Sequence, residues 1–134
     1  MKKTTIAVIL LICAFVLFAG CDQKSKDKTE LGNALVGHWQ NKSGDSLYFS
    51  RDRMTVVTAG NNYQTTYRVV HADADGGTIA LRVGKVIKND KFNMTSNELS
   101  LSLERDGKIL NTISAMTFTS LDSDFSKVDD KESP

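Results

Sequence analysis

The sequence predicts an all-β protein: a single small antiparallel meander barrel, or a folded sandwich, of about eight strands. Apolar residues alternate with polar ones over many short segments, and residues typical of turns separate these segments. The only proline is at position 134, so no predicted strand contains one. A chain of 134 residues has room for one core of ordinary size. Closure into a barrel would also leave no exposed sheet edges.

The alternation predicts the strands in order along the chain. The clearest strand is the last of the regular ones, in which three leucines at positions 99, 101 and 103 alternate with polar residues. From residue 109 to residue 121 the apolar residues no longer keep to one set of alternating positions, which a bulge or two short strands would explain. The regular segments lie at residues 35–39, 46–50, 54–57, 63–69, 79–83, 91–95 and 99–103.

Residues typical of turns connect these strands into hairpins. Turn sequences occur at residues 42–45, 60–62, 73–77 and 106–107. Asp106-Gly107 is the most specific, because both residues can adopt the positive φ of a type I′ turn. Such a turn would place Leu103 opposite Leu110.

The first twenty residues have the layout of a signal peptide. Two lysines precede thirteen uncharged residues, Ile6 to Phe18, and two small residues lead to Cys21. The apolar run is shorter than the roughly 20 residues that span a bilayer, so a permanent transmembrane helix is the less favoured alternative. We therefore predict a cleaved leader over residues 1–20.

The end of this leader, Leu17-Phe18-Ala19-Gly20-Cys21, resembles the lipobox of bacterial lipoproteins. The resemblance implies that Cys21 becomes the N-terminus and carries palmitate-like acyl chains, each buried methylene of which contributes about 0.8 kcal/mol of membrane affinity. Secretion with an unmodified Cys21 is the alternative. Cys13 would leave with the leader, so no thiol would remain for catalysis or for metal binding.

The remaining chain divides into a tether, a domain and a tail. Residues 21–32 comprise the lipidated cysteine and a polar tether, because Asp22 to Glu30 contains no apolar residue. The β domain covers residues 33–121, and the acidic residues 122–134 are expected to be a disordered tail or one short helical turn. The predicted location is the extracytoplasmic face of the cell membrane. Asp22 resembles the retention signal of enteric Gram-negative lipoproteins, which would mean the inner membrane, facing the periplasm.

The start of the β domain resembles the lipocalin-like, or calycin-type, bacterial lipoproteins. The run Leu35 to Gln40 reads Leu-Val-Gly-His-Trp-Gln, and the strand Leu47 to Phe49 follows it. In that family a Gly-x-Trp begins the first strand, so the resemblance implies that Trp39, with Gly37, plugs one barrel end. The chain is much shorter than a ligand-carrying lipocalin, so the resemblance implies the fold rather than a ligand.

The sequence contains no motif for catalysis, for a cofactor or for a metal ion. His38 and His71 are the only imidazoles, and no serine lies in a nucleophile motif. Asp73 to Gly77 has the alternating acids of a calcium loop, but Gly84 stands where the bidentate Glu belongs, so a hairpin turn is favoured. The 17 basic and 16 acidic side chains nearly balance, and we expect no nucleic-acid partner.

These observations favour a non-enzymatic binding lipoprotein that contacts an envelope component or a secreted protein. Protection of the immunity or inhibitor type is one form of such a function. The candidate interaction surface consists of Tyr48, Arg51, Arg53 and Arg68, because Tyr and Arg dominate protein interfaces.

Two other functions stay open at this point. The first is a carrier of a small apolar ligand in a barrel cavity. The second is an enzyme, which would need a cleft that holds His38 or His71 beside a carboxylate. The cavity of a carrier would be lined by Phe49, Val56, Tyr67, Leu81 and Leu101.

Overall fold

The alternating segments pair into a closed barrel. A computed structural model describes residues 25–104 and 106–134, so the predicted leader, Cys21 and Asp22 lie outside the described residues. The helix α1 covers residues 25–35. The strands are β1 (Gly37–Gln40), β2 (Ser46–Phe49), β3 (Arg53–Thr58), β4 (Asn61–Asp73), β5 (Thr78–Val83), β6 (Phe92–Met94), β7 (Glu98–Glu104), β8 (Ile109–Ser114), β9 (Met116–Phe118) and β10 (Asp124–Asp129).

Eight of these strands close the barrel, and every pairing is antiparallel. Their order around the barrel is β1-β10-β8-β7-β5-β4-β3-β2, while β6 and β9 form a separate two-stranded sheet. Sequential strands are therefore neighbours, apart from the two that leave the wall. The prediction of an all-β, antiparallel meander barrel is confirmed.

The register follows the hydrophobic alternation. The three leucines of β7 are buried, and the serines between them face outward and are half-buried. Leu103 pairs with Leu110, as the predicted turn requires. Asp106 and Gly107 have φ values of 57° and 78°, which is the left-handed conformation that a type I′ turn needs.

After residue 109 the alternation of apolar residues changes because the segment forms two short strands. β8 ends before Ala115, whose φ of 65° turns the chain out of the barrel wall into β9. In the small sheet the ring of Phe92 lies 4.8 Å from that of Phe118. Phe118 in turn lies 5.3 Å from Phe125 of β10, so the small sheet packs on the barrel core.

The two barrel ends are closed by different elements. At the proximal end, where β1 begins, Asp27 of α1 accepts a hydrogen bond from Ala74 N (3.2 Å) in the β4–β5 turn. The small sheet lies at the distal end, because β6 follows the last residue of β5 and β9 follows the last residue of β8. No helix among residues 25–104 and 106–134 is long and apolar enough to cross a membrane.

The predicted tether is wrong over residues 25–32, which belong to α1. The helix continues to Leu35, so the first strand begins at Gly37 and not at the predicted Leu35. Leu31 and Leu35 lie four residues apart, so they share one face of the helix, and both are buried against the barrel. Two leucines are too short a stripe to be recognised as helical periodicity, and packing on the barrel stabilises the helix.

The predicted disordered tail is also wrong, because residues 124–129 form β10. This strand lies between β1 and β8 and closes the barrel. Phe125 is fully buried, and Lys127 also faces inward. A lysine at an inward position breaks the alternation, which is why the segment did not have the pattern of a strand.

Candidate functional site

Strands β4 and β5 diverge toward the distal end and leave a groove in the barrel wall. β4 has 13 residues and β5 has six, and their ladder reaches only as far as Tyr67 and Val83. Gly84 still donates to Thr66 O (2.9 Å), after which the chain leaves toward β6. The groove has a volume of about 680 Å³ and is lined by Asn62 to Gln64, Lys85 to Asn89, and Thr95.

One wall of the groove is the free edge of β4. Successive residues of an antiparallel strand direct their N–H and C=O groups to alternate sides. Tyr67 N donates to Asp52 O (3.0 Å) on the β3 side, so Asn62 and Gln64 direct their main-chain groups to the other side, into the groove. No described residue forms a hydrogen bond with these main-chain groups.

The opposite wall carries positive charge. Lys85 and Lys88 line it, no acidic residue lines the groove, and neither lysine forms an ion pair with a described residue. Asn89 Oδ1 accepts hydrogen bonds from Lys91 N (2.8 Å) and Phe92 N (2.9 Å), which fixes the amide. Asn89 Nδ2 is buried without a partner among the described residues. The groove is therefore positively charged, and its accessible donors include the two lysines and the main-chain N–H groups of Asn62 and Gln64.

None of the four residues of the predicted interaction surface lines this groove. Arg51 is in the β2–β3 turn, Arg53 is in β3 and Arg68 is in β4, and all three are exposed. Tyr48 is half-buried, because its ring stacks on that of His38 with centroids 4.1 Å apart and an interplanar angle of 9°. The three arginines are accessible to a partner, whereas one face of Tyr48 is already covered.

The structure extends this surface by a residue that the sequence did not single out. Arg82 of β5 lies directly opposite Arg68, and its guanidinium is 3.2 Å from Glu98. Glu98 offsets the charge of Arg82, whereas Arg68 forms no ion pair with a described residue, so Arg68 adds positive charge to the outer wall. We use the name basic band for Arg53, Arg68, Arg82, Lys85 and Lys88.

His38 lies beside both a serine and a carboxylate on the outer wall. Ser46 Oγ is 3.0 Å from His38 Nε2, and Asp129 Oδ1 is 3.7 Å from His38 Nδ1. A register shift makes this possible: Trp39 pairs with Lys127 and His38 with Asp129, so Val128 is the extra residue of a bulge. The histidine thus lies between a hydroxyl and a carboxylate, which is the arrangement of a Ser-His-Asp catalytic triad.

The surroundings of this cluster differ from those of a triad. Ser46 is only 5% exposed, and the 3.7 Å separation exceeds hydrogen-bond length. None of the three residues lines the groove. Since they belong to β2, β1 and β10, the cluster connects three neighbouring strands across the seam of the barrel.

Trp39 lies fully buried inside the barrel. Its Nε1 donates to Leu35 O (2.8 Å) at the end of α1, and Lys127 Nζ lies 5.6 Å from the ring centroid. Gly37 has a φ of 134°, and a Cβ there would lie 2.8 Å from Asp129 O. Gly37 therefore lets β10 come close to β1 near this tryptophan.

The residues proposed for a ligand cavity are brought together in the core. Tyr67 donates to Ser50 O (2.5 Å), and burial, with Asp52 and Glu132 adding to the effect, raises the pKa of Tyr67 to about 12. None of the five lines the groove. The buried residues of this set are Phe49, Val56, Tyr67, Leu81 and Leu101.

A buried carboxylate organises the loops of the distal end. Asp45 accepts hydrogen bonds from Asn41 Nδ2 (2.9 Å), Thr58 Oγ1 (2.7 Å) and Ser120 Oγ (2.9 Å). Burial alone would raise the pKa of Asp45, but these three hydrogen bonds outweigh it and leave the pKa below 3.8. The carboxylate thus connects the β1–β2 loop, β3 and the loop before β10.

In the acidic turn after β4, the Asp73 carboxylate forms hydrogen bonds with the backbone of the turn. Asp73 Oδ1 accepts hydrogen bonds from Asp75 N (3.1 Å) and Gly76 N (3.2 Å), which is the local bonding of an Asx turn. His71 is exposed on β4. Over residues 25–104 and 106–134, no group of three or more metal-ligating side chains comes together.

Comparisons with known protein families, with curated protein sequences and with solved structures found no match. The groove itself was not predicted from the sequence. It arises because β4 extends beyond the end of β5, and this difference in strand length depends on the pairing of the strands rather than on any local motif. The one local signal was the spacing of three lysines at positions 85, 88 and 91 in the connection after β5.

Proposed function

We propose that this protein is a lipid-anchored, non-catalytic binding protein on the extracytoplasmic face of a bacterial membrane. The observation that carries the proposal is that α1, which leads into the barrel, and the groove lie at opposite ends of the barrel. The chain enters the barrel through α1 at the proximal end, and Cys21 is four residues before the first described residue of that helix. A lipid at Cys21 would therefore hold the proximal end at the bilayer and leave the groove facing away from it.

The distribution of polar groups supports binding rather than catalysis. The accessible groups of the groove are main-chain donors and acceptors, lysines and amides, which recognise a partner without reacting with it. Contacts between neighbouring strands already involve the side chains of Ser46, His38 and Asp129. Protection against a secreted toxin or lytic enzyme is one form that such binding would take.

The two cysteines of the sequence offer a matched test of the anchor. Cells grown with an alkyne-tagged palmitate analogue would express the wild type, Cys21→Ser or Cys13→Ser, followed by membrane fractionation. We expect label and membrane association for the wild type and for Cys13→Ser, and neither for Cys21→Ser. If Cys21→Ser keeps its label or stays in the membrane fraction, the lipid anchor is refuted.

A second measurement tests the binding function itself. Crosslinking in intact cells should give a reproducible adduct of the anchored protein with one envelope or secreted protein. The absence of any reproducible adduct would contradict the proposal.

A further inference from the structure

We propose that an extended acidic segment of a partner protein binds in the groove as an added strand on the free edge of β4. This inference rests on the proposed binding function and names the partner's chemistry. The edge supplies the N–H and C=O groups of Asn62 and Gln64, which together can form four main-chain hydrogen bonds. Strand addition to an exposed edge is a common mode of peptide recognition, in which the main chain gives affinity and side-chain contacts give specificity.

The free edge favours a polypeptide over a simple anion. Asn62 and Gln64 each present a donor and an acceptor to the groove, and an extended peptide offers both in the matching alternation. A phosphate or carboxylate ion offers acceptors and would leave the two carbonyl groups without donors. The groove volume of about 680 Å³ lies within the range of ligand sites in proteins, and Tyr63 and Val86 give it a partly apolar lining.

The charge of the groove selects an acidic segment. Lys85 and Lys88 line the wall that faces the free edge, and no carboxylate lines the groove. Arg68 continues the basic band on the adjoining outer wall, opposite Arg82, whose charge Glu98 partly offsets. Acidic side chains that alternate along an added strand would meet these cations on one face.

The same lysines disfavour the other occupant of a free edge, a second copy of this chain. Two barrels that paired through β4 would bring together two copies of Lys85 and Lys88 without any carboxylate of the groove to compensate them. Charged side chains beside an edge are a common protection against such self-pairing. A partner that carries acids gains from the charges that repel a second copy.

The test uses the protein as its host cell processes it and a fluorescein-labelled heptapeptide with alternating Glu and Val. Fluorescence anisotropy should show binding that weakens as salt is raised, and the counterpart peptide with Lys in place of Glu should not bind. Amide hydrogen exchange should show slower exchange at Asn62 and Gln64 when the acidic peptide is present. Protection confined to other amides would overturn the proposal.

Two variants separate the edge from the charge. Gln64→Pro removes an N–H that faces the groove and leaves the β3–β4 ladder intact, and we expect binding to weaken by about tenfold. Lys88→Glu should weaken binding by about fivefold, whereas Lys91→Glu, the same change outside the groove lining, should have little effect. Circular dichroism checks that each variant folds, and Lys88→Glu keeps the test decisive if Gln64→Pro does not.

The remaining outcomes each bear on one claim. Equal effects of Lys88→Glu and Lys91→Glu, or equal binding of the basic peptide, would overturn the acidic partner. A dimer in sedimentation with protected Asn62 and Gln64 amides would replace the peptide by a second copy. Crosslinking to an envelope protein through another surface would preserve the proposed function and refute this inference, whereas loss of the Cys21 anchor would refute the anchor and leave peptide binding unchanged.

Discussion

Asp45 provides a quantitative test of how the distal end is held together. It is 9% exposed and accepts hydrogen bonds from Asn41, Thr58 and Ser120. Hydrogen bonds to a charged group contribute about 1.5–3 kcal/mol each, but desolvation of the carboxylate and reorientation of the two hydroxyls offset part of their sum. We expect Asp45→Asn to lower the free energy of unfolding by about 2 kcal/mol at neutral pH, because its amide nitrogen would face the Asn41 amide.

The dependence on pH identifies the carboxylate as the cause. Folding holds the pKa of Asp45 below its ordinary value of 3.8, so the wild type gains stability above pH 3.8 and loses it as the pH falls toward the folded pKa. Other carboxylates titrate in both proteins and cancel in the comparison. The difference between the wild type and Asp45→Asn should therefore be constant at higher pH and narrow below pH 3.8.

Urea unfolding followed by the fluorescence of the single tryptophan, Trp39, measures this difference. Asp124→Asn is the matched control, because Asp124 is exposed on β10, and we expect it to change stability by less than about 0.5 kcal/mol. A wild type and an Asp45→Asn variant of equal stability would refute the reasoning. So would a difference that stays constant as the pH falls.

Three further predictions follow from the barrel and its surface. Gly37→Ala should lower the unfolding free energy by about 2 kcal/mol, since an added Cβ would lie 2.8 Å from Asp129 O; an unchanged urea midpoint contradicts this. The raised pKa of Tyr67, about 12, means that the wild type loses stability relative to Tyr67→Phe as the pH rises above 10, which urea unfolding at about pH 9 and pH 11.5 measures; a constant difference contradicts it. A fluorophosphonate probe should leave Ser46 unlabelled, and labelling that His38→Ala abolishes would show a reactive serine instead.

The parts of the fold that the sequence predicted are those in which local and tertiary preferences agree. In β7 the alternation of leucine and serine matches the inside and the outside of the barrel. At Asp106 and Gly107 the residue types that favour positive φ lie where the hairpin needs them, which fixes Leu103 opposite Leu110. The local sequence pattern of such segments determines their structure, so a single sequence is enough to predict them.

The parts that were missed depend on contacts that a linear pattern does not contain. α1 is recognisable only from the surface that covers Leu31 and Leu35. In β10 the inward Lys127 lies over the ring of Trp39 near the barrel end, where a long side chain can keep its ammonium group partly exposed. The polar residue at an inward position is thus satisfied by tertiary structure, and the period-two pattern fails there.

The groove shows why a closed small barrel can still present a sheet edge. Two hydrogen bonds fix the connection after β5: Lys85 N donates to Thr65 Oγ1 of β4 (2.9 Å), and Met94 N of β6 donates to Ile87 O (2.8 Å). The first bond holds the start of the connection to β4 and the second holds its continuation to β6, while the main-chain groups of Asn62 and Gln64 have no hydrogen-bond partner among the described residues. A preformed groove reduces the conformational entropy that binding must overcome. The divergence of β4 and β5 therefore creates a binding surface while the remaining ladders and the two covered ends keep the barrel core closed.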